Sequence, residues 1–197
     1  MEDIRKMGFC IDMTACIGCR TCQIACKDKS GLPVGIYYRR VTSYETGRYP
    51  NPGYYHYSAS CNHCTYPKCV ERCPTGATYI SEEDATVQYD DSICIRCRYC
   101  VNACPYGVPQ YFKTENKVGK CDACLDLRKA DKNPVCVDAC MMRAIEWGVL
   151  EEMKEKYEQD KLTSDIAVLP SSMLTRPSVL IKPSKHAQNK DYVEVEI

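Results

Sequence analysis

Seventeen cysteines in a chain of 197 residues leave few ways to build an interior, and sixteen of them fall into four groups of four. The groups are Cys16, Cys19, Cys22 and Cys26; Cys61, Cys64, Cys69 and Cys73; Cys94, Cys97, Cys100 and Cys104; and Cys121, Cys124, Cys136 and Cys140. The first and third read C-x2-C-x2-C-x3-C, a run that wraps a cubane 4Fe-4S cluster. The second (C-x2-C-x4-C-x3-C) and the fourth (C-x2-C-x11-C-x3-C) keep the outer spacings and lengthen only the middle gap. Soft thiolates suit such clusters, and a two-residue gap lets a loop offer successive sulfurs to adjacent corners. A tetrahedral zinc ion would be crowded by the surplus thiolates of these runs. Every C-x2-C pair also has further cysteines at ligand spacing, unlike a thioredoxin-type redox pair. The spacing therefore predicts four 4Fe-4S clusters and a chain that conducts electrons. No Ser-His-Asp set, phosphate-binding glycine loop or other organic active site is visible, so no catalytic residue is expected.

The chain has 26 basic and 26 acidic residues and a formal charge of zero. Four thiolate-ligated clusters would add about −2 each, bringing the loaded protein to about −8. Lys27, Lys68, Arg72, Arg96, Arg98 and Lys120 stand beside the ligands and offset part of this field or line an ordinary solvated surface. No basic run or aromatic-basic alternation points to nucleic acid. The opening MEDIRKMGFCID carries charges and lacks the apolar core of a secretory leader, which makes a disulfide scaffold the weaker expectation. The longest apolar pieces, such as Ile166 to Leu169 and Val179 to Ile181, fall far short of the roughly 18 residues of a membrane helix.

The chain repeats itself. Phe9 to Cys26 aligns without a gap on Val87 to Cys104, sharing Asp12/Asp90, Ile17/Ile95, Arg20/Arg98 and Ala25/Ala103 besides the cysteines. A short strand leading into a cluster loop is expected twice, followed by a helical turn over Thr21 to Lys27 and Tyr99 to Cys104. In that geometry three thiolates face one cluster and the fourth points to a neighbour, as in two-cluster ferredoxins. Groups two and three end alike, in Cys73-Pro74-Thr75-Gly76 and Cys104-Pro105-Tyr106-Gly107, whereas groups one and four end in Cys26-Lys27 and Cys140-Met141. This favours pairing two with three and one with four. Loop length alone leaves open the rival pairing of one with two and three with four. Ala77 to Ile80 and Ala85 to Tyr89, separated by Ser81-Glu82-Glu83-Asp84, predict a hairpin.

Outside the cysteine groups, Gly31 to Tyr57 is rich in Tyr, Gly and Pro and reads as a long surface excursion. Val149 to Asp160 has Val149, Leu150, Met153 and Tyr157 on one face of a surface helix. The tail from Leu169, with its spaced prolines, reads as an extended arm laid on a partner or on its own globule. Cys10 has no partner at ligand spacing and is expected to act as a small buried hydrophobe. His56, His63 and His186 are available nitrogen ligands, but each group already holds four cysteines, so hydrogen bonding or exposure is their expected use. Tyrosines such as Tyr37, Tyr38, Tyr54, Tyr55 and Tyr57 are expected to pack against partner surfaces. Gly18, Pro74, Gly76, Pro105 and Gly107 are expected to shape turns that aim backbone amides at sulfur.

The succession CIGCRTCQIACKD, SCNHCTYPKCVERCPTGA, CIRCRYCVNACPYGVPQY and KCDACLDLRKADKNPVCVDACMMRAIEWG resembles the four-cluster iron–sulfur subunits of the dimethyl sulfoxide reductase family, from about Gly8 to Pro183. The resemblance implies one cluster on Cys16, Cys19, Cys22 and Cys140 and a neighbour on Cys121, Cys124, Cys136 and Cys26. It implies a third on Cys61, Cys64, Cys69 and Cys104 and a fourth on Cys94, Cys97, Cys100 and Cys73. It further implies a molybdopterin (bis-MGD) catalytic subunit facing groups one and four, and a quinol-oxidising membrane anchor facing groups two and three. Some relatives lack the second cysteine of group three and hold a 3Fe-4S cluster; Cys97 is present here. The expected fold is α+β: two interleaved bacterial-ferredoxin-like (2×4Fe-4S) modules with loop insertions and an extended C-terminal tail. The expected boundaries are 1–55 plus 118–160 for groups one and four, 56–117 for groups two and three, and 161–197 for the tail. The resemblance also implies a non-catalytic subunit peripheral to the cytoplasmic membrane, co-exported to the extracytoplasmic face with a signal-bearing partner. The competing functions are a soluble polyferredoxin and the iron–sulfur subunit of a related polysulfide, thiosulfate or tetrathionate reductase or transhydroxylase.

Overall fold

The computed structural model describes residues 5–195. The first cysteine group follows strand β1 (Met7–Asp12) and ends on helix α1 (Thr21–Lys29), and a hairpin of β2 (Arg40–Thr46) and β3 (Gly53–Ala59) comes next. The second group carries α2 (Lys68–Glu71) and runs into the hairpin β4 (Thr78–Ile80) and β5 (Val87–Tyr89). The third group follows β5 and ends at α3 (Tyr99–Ala103), then β6 (Gln110–Phe112) and β7 (Lys117–Gly119) form another hairpin. The fourth group carries α4 (Leu125–Arg128) and α5 (Val135–Asp138) and leads to β8 (Ile145–Val149) and α6 (Leu150–Lys156). The chain closes with β9 (Val179–Lys182) and β10 (Tyr192–Val195).

The sequence repeat is thus a structural repeat of strand, cysteine loop and helix. Asp12 Oδ1 accepts from the Thr14 amide (2.8 Å) and the Ala15 amide (3.2 Å), and Asp90 Oδ1 accepts from the Ser92 amide (2.8 Å). These side-chain turns bend the chain out of each strand into its loop. Arg20 and Arg98, equivalent in the repeat, both adopt left-handed backbone at the helix starts, with φ of 61° and 64°. Helix α1 packs on α5, and α2 packs on α3. Group one is therefore set against group four, and group two against group three.

One region differs from the sequence reading, and in a second the structure decides an alternative left open. The excursion over 31–57 contains a seven-rung hairpin: Arg40 pairs with Ala59 at one end and Thr46 with Gly53 at the other. Val41, Tyr55 and Tyr57 lie in the main core, because alternation along two paired strands turns every second side chain inward. These buried tyrosines serve the protein's own interior. The tail lies on its own globule: β9 runs parallel to β1, with Cys10 opposite Leu180, and β10 pairs antiparallel with β2. A run of three apolar residues cannot reveal that it is an interior strand, since its partner lies about 170 residues earlier in the chain.

The main core joins Phe9, Ile11, Met13, Val41, Tyr55, Tyr57, Ile145, Val179 and Ile181 to Cys22, Cys136 and Cys140. Cys10, on the other face of β1, packs with Leu150, Met153 and Leu180. It is the small buried hydrophobe its isolation suggested, and burial pushes its thiol up to about 11. Helix α6 is shorter than the 149–160 segment expected but buries Leu150 and Met153 as the pattern required. Burying such side chains contributes about 1.5–3 kcal/mol each. A third cluster, Cys69, Val87, Cys100 and Val118, lies beneath groups two and three.

Candidate iron–sulfur sites

No disulfide joins any of the seventeen cysteines. The four groups share one local geometry that their sequences do not share. The residue two after the first cysteine has positive φ in each loop: Gly18 (69°), His63 (42°), Arg96 (59°) and Ala123 (55°). Outside glycine this conformation costs on the order of 1–3 kcal/mol per residue and recurs where function requires it. Its result is the same each time, because the amide of that residue turns back onto the first sulfur. Arg96 N–H donates to Cys94 Sγ at 3.3 Å and Ala123 N–H to Cys121 Sγ at 3.4 Å. The Gly18 amide stabilises the Cys16 thiolate and the His63 amide that of Cys61 in the same way. At Gly18 glycine is also needed for space, since a Cβ would collide with the His56 ring.

Further donors surround the sulfurs. Ala144 N–H donates to Cys140 Sγ at 3.3 Å, the Thr21 hydroxyl to Cys19 Sγ at 3.3 Å, and Ser58 Oγ lies 3.5 Å from Cys22 Sγ. The Thr21 contacts hold Cys19 below the ordinary thiol range. At Cys73 the penalty of partial burial is outweighed by hydrogen bonds from Thr78, Thr75 and Ala77, in the turn that Gly76 shapes. These donors favour thiolate and tune a bound cluster.

The structure brings cysteines together across the groups. Cys16, Cys19, Cys22 and Cys140 line one small, partly open cavity with Ile11, Val41 and Ala144. Cys26 lies within electrostatic range of Cys121, Cys136 and Cys124, and burial with these neighbours raises its thiol strongly. Burial lifts Cys64 and Cys69 to about 12, and both also face Cys61 and Cys104. Cys100 faces Cys73 and Cys94, with Cys97 on the same loop and half-buried. Among the described residues no three Cys, His, Asp or Glu side chains converge closely enough to chelate a single ion.

Exposure follows an order. Cys19 is exposed and Cys16 half-buried in the first cavity; Cys26, Cys121, Cys124 and Cys136 are all buried. Cys61, Cys64 and Cys69 are buried with Cys104 half-buried, while Cys73, Cys94 and Cys97 are half-buried and only Cys100 is fully so.

Two buried cations stand among the sulfurs. Lys120 is inside, donating to the carbonyls of Val87 and of Cys121 (2.9 Å). The other basic residues singled out in the sequence lie nearer the surface: Lys68 pairs with Glu71, and Arg98 stacks over Tyr111. Arg39, which no cysteine spacing marks, is only 1% exposed. Its guanidinium donates to Ser58 O (3.1 Å), Ser58 Oγ (3.0 Å) and Ser60 Oγ (2.9 Å). Burial opposes its charge, and the nearby Cys136, Cys22, Cys121 and Cys26 hold its pKa up.

The histidines have separate roles. His56 Nδ1 shares a hydrogen bond with Ser43 Oγ (2.9 Å) under the first loop, and the His186 ring lies against Gly53. His63 is fully buried and accepts from the Val87 amide through Nδ1 (3.1 Å), while burial and then Lys120 lower its pKa. His63 Nε2 and Arg39 Nε are buried without a partner. Orphaned donors beside converging thiolates fit sulfide-rich clusters, which accept hydrogen bonds.

Residues 53–150 match the 4Fe-4S dicluster domain family. The chain is 39% identical to the B component of the anaerobic dimethyl sulfoxide reductase of Escherichia coli (strain K12) over 191 residues, 93% of this chain and 91% of the relative. The chain belongs to the iron–sulfur subunits of the dimethyl sulfoxide reductase family. The corresponding Haemophilus influenzae component is 38% identical over 194 residues, 94% of this chain and 93% of the relative. The B component of the sulfite dehydrogenase of Allochromatium vinosum is 34% identical over 164 residues, 73% of this chain and 68% of the relative. Like these iron–sulfur subunits of the dimethyl sulfoxide reductase family, the chain is a non-catalytic electron-transfer subunit that carries 4Fe-4S clusters in a mixed α/β, ferredoxin-like fold. No helix among the described residues is long and apolar enough to cross a membrane.

Proposed function

We propose that the chain holds four 4Fe-4S clusters on the sets Cys16, Cys19, Cys22 and Cys140; Cys26, Cys121, Cys124 and Cys136; Cys61, Cys64, Cys69 and Cys104; and Cys73, Cys94, Cys97 and Cys100. The two pairs of sets define two interleaved ferredoxin-like modules, 1–55 with 118–160 and 56–117, onto which the segment 161–197 folds back. When bound, each cluster takes up and releases one electron. The chain's own contribution is to space the thiolates, aim amides at them and exclude water from the middle of the path. The observation that carries the relay reading is the graded exposure, with the more accessible cysteines in the sets of Cys16 and of Cys94 and the more buried ones in the sets of Cys121 and of Cys61.

The two ends join different partners. Ile17 and Met142 border the first cavity, and Ile17, Met141 and Met142 are 53%, 65% and 43% exposed. Ile93, Ile95 and Tyr99, beside the third group, are 48%, 63% and 58% exposed. Apolar side chains left in water at both ends favour a docked subunit over a freely diffusing carrier. The first end faces a bis-MGD catalytic subunit of a dimethyl sulfoxide reductase-type enzyme, and the third-group end faces a quinol-oxidising membrane anchor. The complex works on the extracytoplasmic face, reached by co-export with a signal-bearing partner.

The test is rapid-mixing reduction of the assembled complex by a quinol analogue, comparing wild type with Cys97→Ser. Slower quinol-driven reduction is expected, with an artificial donor to the catalytic subunit still supporting turnover. Equal quinol-driven rates would reverse the direction or end the relay reading.

A further inference from the structure

We infer that Arg39 is a buried counter-charge shared by the Cys16, Cys19, Cys22, Cys140 set and the Cys26, Cys121, Cys124, Cys136 set, placed to raise the reduction potentials of both. The inference rests on the four-cluster reading. Arg39 precedes β2 and enters the interior from the side, its guanidinium 4.8 Å from the centroid of the Phe9 ring. It forms no ion pair with a carboxylate among the described residues. A charge buried this completely is strongly unfavourable unless negative groups compensate it. Here the compensating groups are sulfurs of two different sets. Ser58 Oγ links Arg39 to Cys22 Sγ, with 3.0 Å on one side and 3.5 Å on the other, and Arg39 also reaches the Cys136 side chain. Its Nε points nowhere among protein acceptors, which leaves one N–H for a cluster or its thiolates.

The physical consequence has a definite sign. Reduction adds one electron, and one negative charge, to a cluster without breaking or forming a bond to the chain. A fixed positive charge in a poorly screened interior favours the more negative state, so it moves the potential upward. Arginine does this independently of pH, because its guanidinium stays protonated. Lys120 lies between the two sides, bonded to Cys121 O and facing Cys61, whereas the sulfurs that act most on Arg39 all belong to its own two sets, so Arg39 acts on that pair of clusters selectively.

The experiment is a dithionite-driven redox titration, followed by electron paramagnetic resonance, of the anaerobically purified cluster-loaded chain in wild-type, Arg39→Met and Arg39→Lys forms. Arg39→Met keeps much of the volume and removes the charge. It should lower the equilibrium constant for reducing each of the two neighbouring clusters at least tenfold, about 59 mV for a one-electron couple. The other two clusters should change less than threefold, and Arg39→Lys should leave all four within threefold of wild type. Shifts below threefold at both target clusters in Arg39→Met would overturn the inference, as would equal shifts at all four clusters. Iron and sulfide are measured on the same samples. If Arg39→Met loses iron and Arg39→Lys does not, the charge requirement is supported; if both lose it alike, Arg39 acts by packing and the inference fails. Wild-type protein without four clusters would instead defeat the underlying reading.

Discussion

The side of the molecule where α1 packs on α5 and the side where α2 packs on α3 use the same cysteine loops but embed them differently. On the first side the loops share the main core, and Cys22, Cys136 and Cys140 touch residues of β1, β3, β8 and β9. On the second, Cys69 and Cys100 rest on a small cluster with Val87 and Val118, between two three-residue hairpins. The first side carries a buried arginine on two serines, and a lysine reaches the second side from the first residue before the fourth group. Loop geometry alone therefore does not set the environment of a cluster. Identical ligand turns gain different solvent access and different counter-charge from whatever sheet lies behind them, and those are levers on potential.

Iron removal should produce the largest effect. Because ligation and folding are coupled, anaerobic chelation of the iron, about 16 per chain under the proposed four clusters, should abolish native circular dichroism on both sides. A side that kept its structure without iron would separate the two, and the three-stranded sheet of β8, β1 and β9 marks the first side as the place to look. Stoichiometric zinc in the purified protein would contradict the cluster reading altogether.

Loss of one ligand should act locally. Cys97→Ser is expected to convert one centre to a 3Fe-4S type with a changed magnetic resonance spectrum, leaving the rest intact. A spectrum identical to wild type would remove Cys97 from its set. Side-chain truncation then compares the two cores directly. Ile181→Ala, at a residue 1% exposed on β9, should cost about 2–5 kcal/mol, whereas Val118→Ala should cost about 1–3 kcal/mol. Thermal unfolding of the loaded protein measures both, and an Ile181→Ala loss below that of Val118→Ala would show that the tail strand is not an integral part of the first side.

Cys10 should give the smallest change and the sharpest control. Cys10→Ala should keep iron and sulfide at wild-type levels, since none of the proposed sets uses that thiol. Burial raises the Cys10 pKa from about 9 to about 11, so the neutral thiol's contribution is complete below about pH 9 and lost as pH rises through about 11. The alkaline loss of stability across that window should be shallower in Cys10→Ala than in wild type. Equal slopes would mean that the thiol does not resist ionisation in the folded state.

Much of this protein was legible without coordinates. Ligand spacing announced iron–sulfur chemistry, the repeat from Phe9 and Val87 predicted two strand–loop–helix units, and the alternating segments around Ser81 predicted the β4–β5 hairpin. These are local features: a C-x2-C loop, an Asx turn or a short hairpin is specified by residues a few positions apart. The helix at 150–156 was visible for the same reason, through Leu150 and Met153 on one face.

What depended on distant segments was decided only in three dimensions. The 31–57 excursion became a core hairpin because β3 turns Tyr55 and Tyr57 toward Phe9 and Ile11, and β9 became an interior strand because β1 was free to pair with it. The common left-handed turn at Gly18, His63, Arg96 and Ala123 was hidden because one backbone shape is served there by four different side chains. Arg39 was hidden more deeply, since an arginine in a tyrosine-rich stretch is ordinary until folding carries it among the sulfurs. Cysteine identity and spacing by themselves determined the chemistry, because sulfur–iron bonding is a property of residue type and loop length. Burial, counter-charge and the order of exposure came from tertiary structure, because they are sums over every segment that packs around a site.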